Sequence, residues 1–396
     1  MRLAEFLLGG SVTFVLYTYF GYPVLLWVLA RVRCVQVLRG DMEPSVSLII
    51  AAHNEERRIR EKLENTLSQD YRSELLEIIV ASDCSTDRTD AIALEYRSRG
   101  VKLVRTAKRV GKEGAQKQAL ETSRGDILAF SDTATILPVA AIRTIVRNFH
   151  DPSVGCVSSV DRVLTDDGKP GGEGVYVRYE MLLRRLESRI GTVVGLSGSF
   201  FAARREICEP WRADLQSDFN TLINAARRHL RGISDDLSVA YYRTIKDPAR
   251  EYDRKVRTVL RGITVLLSHA SLLNPFRYGL FSWELASHKL FRWLVPYALI
   301  LALAANAVLA FSSRTYVALL SLQGLFYLAA VLGATRRPAF RHPAFVLPAF
   351  AVEVNGSIIH AWCSFFRGRR ITGWSPSTRD PVETSQKPAA SEDSAS

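Results

Sequence analysis

The sequence has little cysteine. Its five thiols (Cys34, Cys84, Cys156, Cys208 and Cys363) are scattered over 396 residues, and no two are spaced as C-x-x-C. That argues against a disulfide framework or a thiolate metal site, and it suits a reducing compartment with the thiols as small apolar fillers. No G-x-G-x-x-G follows an apolar run, which disfavours a dinucleotide-binding dehydrogenase. Zinc-finger, RNA-binding and basic-zipper signatures are missing too, and the basic residues form no long run, so nucleic acid is not the expected partner. Lys plus Arg nonetheless exceeds Asp plus Glu by 52 to 40, a net charge of +12. Such an excess suits an anionic membrane face or a phosphorylated substrate.

Long apolar stretches are abundant. Phe6 to Ala30 contains no charged side chain. At ~1.5 Å per residue it can cross a hydrocarbon layer of ~30 Å. It has no small-residue cleavage pattern and exceeds a signal-peptide core, so residues 1–32 read as a retained anchor. Tyr17, Tyr19, Tyr22 and Trp27 supply interfacial aromatics, and Arg31, Arg33 and Arg39 follow, against Arg2 alone in front. This asymmetry places the next segment in the cytoplasm. Phe291–Phe311 and Tyr316–Leu332 are two further membrane-length runs, followed by a basic loop (Arg336, Arg337, Arg341, His342) that reads as cytoplasmic. Phe345–Phe366 contains Pro348, Glu353, Asn355 and His360 and is flanked by arginines, so a re-entrant hairpin and a true span both stay open. Residues 263–374 are expected to be interfacial and transmembrane helices, with His288 and Lys289 as a headgroup-level anchor. Residues 375–396 are almost free of apolar side chains and are expected to be a disordered tail.

Residues 44–262 have a different character. Apolar runs at Val46–Ala52, Leu76–Ala81, Val101–Val104 and Leu128–Ser131 alternate with helical patterns, such as Arg57–Leu67 and Glu113–Ser123. Strands alternating with helices imply right-handed crossovers and an α/β fold with a mostly parallel sheet, covered on both faces. Polar clusters follow the strands: His53-Asn54-Glu55-Glu56, Ser82-Asp83-Cys84-Ser85-Thr86-Asp87, and Asp132-Thr133-Ala134-Thr135. The carboxyl ends of parallel strands are where such sheets bind ligands. Taken singly, each of these acids is an ordinary turn former or helix cap. Glu180 and Glu187, on one helical face, read as solvated or interhelical partners.

The segments PSVSLIIAAHNEE, LEIIVASDCSTD, GKEGAQKQALETSRGDILAFSD and GSFFAARRE, in this order behind an apolar anchor, resemble the membrane-bound family 2 glycosyltransferases. The resemblance implies a cytoplasmic GT-A domain over residues 44–262 and attachment to the inner membrane by several passes. It also implies a nucleotide-sugar donor, UDP-linked by family likeness, and a glycan or lipid-linked acceptor at the bilayer. On the matching positions, Asn54, Glu55 and Asp83 would line the nucleotide pocket and Lys112 would lie near the diphosphate. Asp132 would be the first acid of the D-x-D that holds a divalent cation, Mg²⁺ or Mn²⁺. Gly198 and Ser199 would form the loop under the acceptor, and Asp218, in Gln216-Ser217-Asp218-Phe219, would be the base that drives inversion. Three departures stand out: Cys84 where the family has glycine, Ala134 where it has a second acid, and a Q-x-x-R-W element reduced to Arg254. Ala134 offers no side-chain ligand oxygen, so Thr133, Thr135, water or another loop must compensate, or the cation is held weakly. Two alternatives remain: a polyprenyl-phosphate acceptor, and a scaffold that keeps the nucleotide pocket without turnover.

Overall fold

The computed structural model describes residues 1–164, 175–243, 248–335 and 337–369. A long apolar helix, α1 (Arg2–Val32), precedes the α/β unit and carries one wide π-helical turn at Tyr17–Gly21. Then come β1 (Val46–Ala52), α2 (Ile59–Leu67), β2 (Leu76–Ser82), α3 (Thr89–Glu95), β3 (Val101–Arg105), α4 (Lys112–Thr122), β4 (Ile127–Asp132) and α5 (Ala141–Val146). The second half of the unit is β5 (Val154–Leu164), α6 (Val175–Ile190), β6 (Phe200–Arg204), α7 (Ser217–Arg227) and β7 (Arg231–Arg243). Beyond it lie α8 (Pro248–Ser268) and three apolar helices, α9 (Leu280–Leu309), α10 (Arg314–Ala334) and α11 (Pro343–Phe366). The expected disordered tail falls outside the described residues.

The strands form one seven-stranded sheet in the order β3-β2-β1-β4-β6-β5-β7. Only β6 runs against its neighbours. Residues of β1 are buried along its whole length, because helices cover both faces of the sheet. Alternate residues feed two cores: Ile49, Leu128, Phe130 and Phe201 on one side, and Leu48, Ile50, Ala129 and Phe200 on the other. This double burial is why the strands read as continuous apolar runs rather than alternating ones.

α1, α9, α10 and α11 are each long and apolar enough to cross a membrane. α11 is one continuous helix of 24 residues, so the re-entrant hairpin is not adopted. Its proline comes early in the helix, at Pro348, and does not break it. A small apolar cluster (Tyr22, Leu26 and Ala30 against Leu183, Leu186 and Ile190) packs α1 onto α6. The cysteine expectation holds only in part: Cys156 and Cys208 are buried, whereas Cys34 and Cys363 are exposed.

Gly125 sits where the chain enters β4 and passes so close to β1 that an added Cβ would collide with the Ser47 backbone nitrogen. Backbone cannot yield as a flexible side chain can. Gly125→Ala is therefore predicted to cost about 1–3 kcal/mol, as overpacking does, and to lower Tm in detergent. Gly9→Ala, where a Cβ meets nothing, should not lower it.

Candidate active site

The chain leaves β1 towards β2 and β3, then returns to place β4 on the other side of β1. A crevice opens at such a reversal, outside the carboxyl ends of the two strands. The loops after β1 and β4 border it. The antiparallel β6 adds a third wall, because its register sets Phe200 opposite Ser131. The residue before it, Ser199, therefore faces the end of β4, and its carbonyl accepts the Asp132 amide at 3.1 Å.

One ammonium joins these walls. Lys112, the first residue of α4 and 8% exposed, donates from Nζ to Asp132 Oδ1 at 2.5 Å and to the Gly198 carbonyl at 3.3 Å. Burial alone would depress its pKa, but the charges of Asp132 and Glu113 overcome that and raise it. Gly198 in turn is pressed against Asp218: a Cβ there would lie 2.6 Å from Asp218 Oδ2. Asp218, near the start of α7, is 7% exposed. It accepts from the Phe219 amide at 2.5 Å and from Gln216 Nε2 at 3.1 Å. Its pKa is raised by burial, against the opposing pull of Lys112 and Arg261. Ser197 and Ser199 both donate to Asp161 Oδ1, at 2.6 and 2.5 Å, which fixes the loop around Gly198.

The loops after β1 and β2 are knitted to one another. Asn54 adopts a left-handed φ of 53°, and its Oδ1 accepts from the Thr86 amide at 2.8 Å. Both Asp83 oxygens are taken up by backbone amides, Val110 at 2.7 Å and Gly111 at 3.1 Å. Asp83 thereby holds the turn that launches Lys112. Cys84 has φ 51°, a conformation that suits the glycine found there in the resembling family. Asp87 accepts from the Thr89 amide at 2.9 Å and from its hydroxyl at 2.5 Å, one residue ahead of the α3 N-cap, Arg88. Glu55 is buried, and its pKa is pushed up to about 7, chiefly by burial; Arg58 opposes the shift and Asp132 adds to it.

Arg254 is not drawn into this group; it pairs with Glu251 on its own helix, at 2.6 Å. Arg261, two turns further along α8, is the cation that bonds Glu113 and acts electrostatically on Asp218. Sequence reading passed over it because its partner lies 148 positions away. It also passed over Lys62, which is 2% exposed beneath the β4 loop. Lys62 Nζ donates to Ser131 Oγ and to the Thr135 carbonyl, both at 2.8 Å. The spacing of Lys62 on α2 gave no sign of burial. His288 is not a headgroup anchor: 3% exposed, it sits between Glu187 at 2.5 Å and Glu180 at 3.1 Å. Those two carboxylates are interhelical partners rather than solvated.

The donor set for a cation is thin. Among the described residues, no three His, Cys, Asp or Glu side chains converge. Thr133 turns its hydroxyl inward to the Ala51 carbonyl, at 2.8 Å, and Ala134 has no side-chain oxygen. The side chain of Asp132 is 34% exposed, and Lys112 occupies only its Oδ1. One free carboxylate oxygen fits a hard cation that brings its remaining ligands as phosphate and water.

The family model described as Glycosyl transferase family 2 matches residues 47–211. The chain is 33% identical over 129 residues to an N-acetylglucosaminyltransferase of Bradyrhizobium elkanii, a match covering 30% of this chain and 70% of that protein. It is 31% identical over 155 residues to a beta-monoglucosyldiacylglycerol synthase of Synechocystis, covering 34% of this chain and 32% of the synthase. The chain spans less than half the length of most curated relatives that it matches. In fold it is similar to the mannosyltransferase PcManGT from Pyrobaculum calidifontis, solved in complex with GDP-Man and Mn²⁺. There the TM-score is 0.72 at 22% identity, over 92% of this chain and 99% of that one. The GT-A-like fold with a mostly parallel sheet is thereby established.

Burial pushes the pKa of Lys62 down to about 7 from 10.5, against the attraction of Asp132. Its folded value lies below its unfolded one, so between them the unfolded chain binds the extra proton. The Lys62 contribution to stability therefore rises with pH, from about 7 to about 10. Lys62→Met removes that dependence. Its Tm relative to the parent is predicted to be greatest at pH 7 and below, and to fall as pH rises to 10. A Tm difference independent of pH would contradict the buried, depressed lysine.

Proposed function

Because the chain belongs to glycosyltransferase family 2, we propose that it is an inverting transferase held in the inner membrane with its GT-A domain in the cytoplasm. It moves a sugar from a nucleotide-sugar donor, a UDP-sugar in the first instance, to a glycan or lipid-linked acceptor. The observation that carries this reading is the Lys112 ammonium, which bonds Asp132 and the Gly198 carbonyl together beside the buried Asp218. The four apolar helices support the membrane assignment.

The nucleoside sits over the knitted loops of Asn54, Glu55 and Asp83, and the diphosphate lies towards Lys112. Lys112 and Arg261 supply positive charge where the departing nucleoside diphosphate gathers negative charge. A divalent cation, Mg²⁺ or Mn²⁺, would be held through the free oxygen of Asp132, and when bound it adds charge neutralisation at the diphosphate. Gly198 and Ser199 bring the acceptor hydroxyl up to Asp218, with no side chain at 198 to hold it off. Asp218, whose carboxylate is oriented by the Phe219 amide and Gln216, takes the hydroxyl proton as its oxygen attacks the anomeric carbon. The new C–O bond forms opposite the breaking bond to phosphate, and the configuration inverts. Burial that raises the pKa of a base also makes it a stronger proton acceptor.

Asp218→Asn is predicted to leave UDP affinity intact while transfer falls about 10²–10⁴-fold, the usual worth of a positioned base. Calorimetry with UDP and a donor-panel transfer assay in detergent read the two separately. Transfer that survives the substitution would remove Asp218 from the role. UDP binding without turnover of any donor by the unaltered protein would leave the scaffold reading.

A further inference from the structure

One acid beside the proposed site takes no part in the transfer step. Asp161 lies towards the carboxyl end of β5, which runs parallel to β4 because β6 opposes both. It therefore reaches the same edge of the sheet as Asp132, on the far side of β6. Backbone pairing between β5 and β6 stops at Ser158 and Phe201. Beyond that point side chains join the two strands. Ser159 Oγ donates to the Phe200 carbonyl, and Ser158 Oγ accepts from the Ser197 amide, both at 2.7 Å. Asp161 Oδ1 then takes the hydroxyls of Ser197 and Ser199, at 2.6 and 2.5 Å.

A serine hydroxyl carries a single proton, and an ionised carboxylate carries none. Ser197 and Ser199 also lie 2.8 Å apart, so both of their protons are spent within this trio however they are shared. Lone pairs are what remain. Those of Ser199 Oγ are free to accept, and Asp161 Oδ2 has no hydrogen-bond partner among the described residues. Both residues are partly exposed. The side chains of this stretch thus offer acceptors and no donor. Two carboxylates flank it: Asp161 through the serines, and Asp218 against Gly198. In the proposed reaction the donor sugar lies between the diphosphate at Lys112 and the base at Asp218, which puts it over Gly198 and Ser199. A sugar hydroxyl suits such a wall because it donates. A sugar carboxylate cannot donate at neutral pH, and like charges repel more strongly in a crevice than in bulk water.

We propose that Asp161 selects the donor: its Oδ2 accepts a hydroxyl of an uncharged sugar and turns a hexuronate away. This rests on the transferase reading and names the class of sugar for that site. A site built to bond a substrate hydroxyl discriminates strongly, because the wrong ligand leaves its polar groups unpaired.

Calorimetry on the full-length protein in detergent tests this with UDP, UDP-glucose, UDP-galactose, UDP-N-acetylglucosamine and UDP-glucuronate. The unaltered protein is expected to bind the best of the uncharged UDP-sugars at least about tenfold more tightly than UDP-glucuronate, the worth of one charge-assisted contact. In Asp161→Asn the amide oxygen can still receive both serines, while an N–H donor replaces the free acceptor. UDP-glucuronate should then gain affinity, the uncharged sugar should lose it, and UDP itself should bind as before. Ser197→Ala loosens the same junction but keeps the carboxylate, so the tenfold preference should survive it. UDP-glucuronate bound by the unaltered protein as tightly as the uncharged sugars would overturn the proposal. An Asp161→Asn variant that keeps the preference would overturn it as well. A preference lost equally in both variants, or UDP lost along with every UDP-sugar in Asp161→Asn, would reduce Asp161 to holding the loop. An unaltered protein that binds no UDP at all would overturn the transferase reading beneath, and this inference with it.

Discussion

The contact on which the site depends is the Lys112 ammonium set between Asp132 and the Gly198 carbonyl. Asp132 ends β4, Gly198 leads into the antiparallel β6, and Lys112 opens α4, so one side chain ties three separately folded pieces into one crevice. The backbone prepares the contact in advance. Asp83 holds the Val110 and Gly111 amides and thereby aims Lys112, and Asp161 gathers Ser197 and Ser199 beside Gly198. A buried lysine facing a carboxylate stays charged where burial alone would neutralise it. A second, largely hidden lysine, Lys62, supports the same β4 loop from below.

A second constraint sets the catalytic unit against the apolar helices. α6 presents Glu180 and Glu187 to α1 and α9, where Tyr22 and His288 meet Glu187 and where His288 and Arg292 pair with Glu180. Neighbouring aliphatic residues close the α1 contact. Charged groups are costly to bury, and directional contacts of this kind fix one orientation better than apolar packing alone. The orientation matters because α9 brings Lys289 within 5.7 Å of the Phe219 ring centre, beside Asp218, so the proposed acceptor side is built jointly by the GT-A unit and one of the apolar helices.

Much of this was legible in the sequence. Strands buried on both faces are continuous apolar runs, so β1, β2 and β4 could be placed, and the acids that follow them marked the crevice. The alignment of Lys112, Asp132, Gly198 and Asp218 with a family's motifs anticipated residues that the fold does bring together. What stayed hidden depends on contacts between distant positions. Arg261 finds Glu113, His288 finds Glu180 and Glu187, and Lys62 is covered by the β4 loop; nothing local in their spacing announces it. Arg254, at the place of a motif's arginine, pairs with Glu251 of its own helix, whereas Arg261 two turns on reaches Glu113. α11 was ambiguous because Pro348, Glu353, Asn355 and His360 interrupt its apolar pattern and arginines flank both ends. The glutamate, Glu353, turns out to pair with Lys255 of α8 at 2.8 Å.

The most direct measurement is the affinity of the Lys112→Met variant for a nucleoside diphosphate, by calorimetry on protein whose Tm matches the parent. If the ammonium receives the diphosphate, its removal costs a charge-assisted interaction of about 1.5–3 kcal/mol, and binding weakens about 10- to 100-fold. Affinity equal to that of the parent would contradict the account, because the contact that assembles the crevice would then have no part in holding the donor.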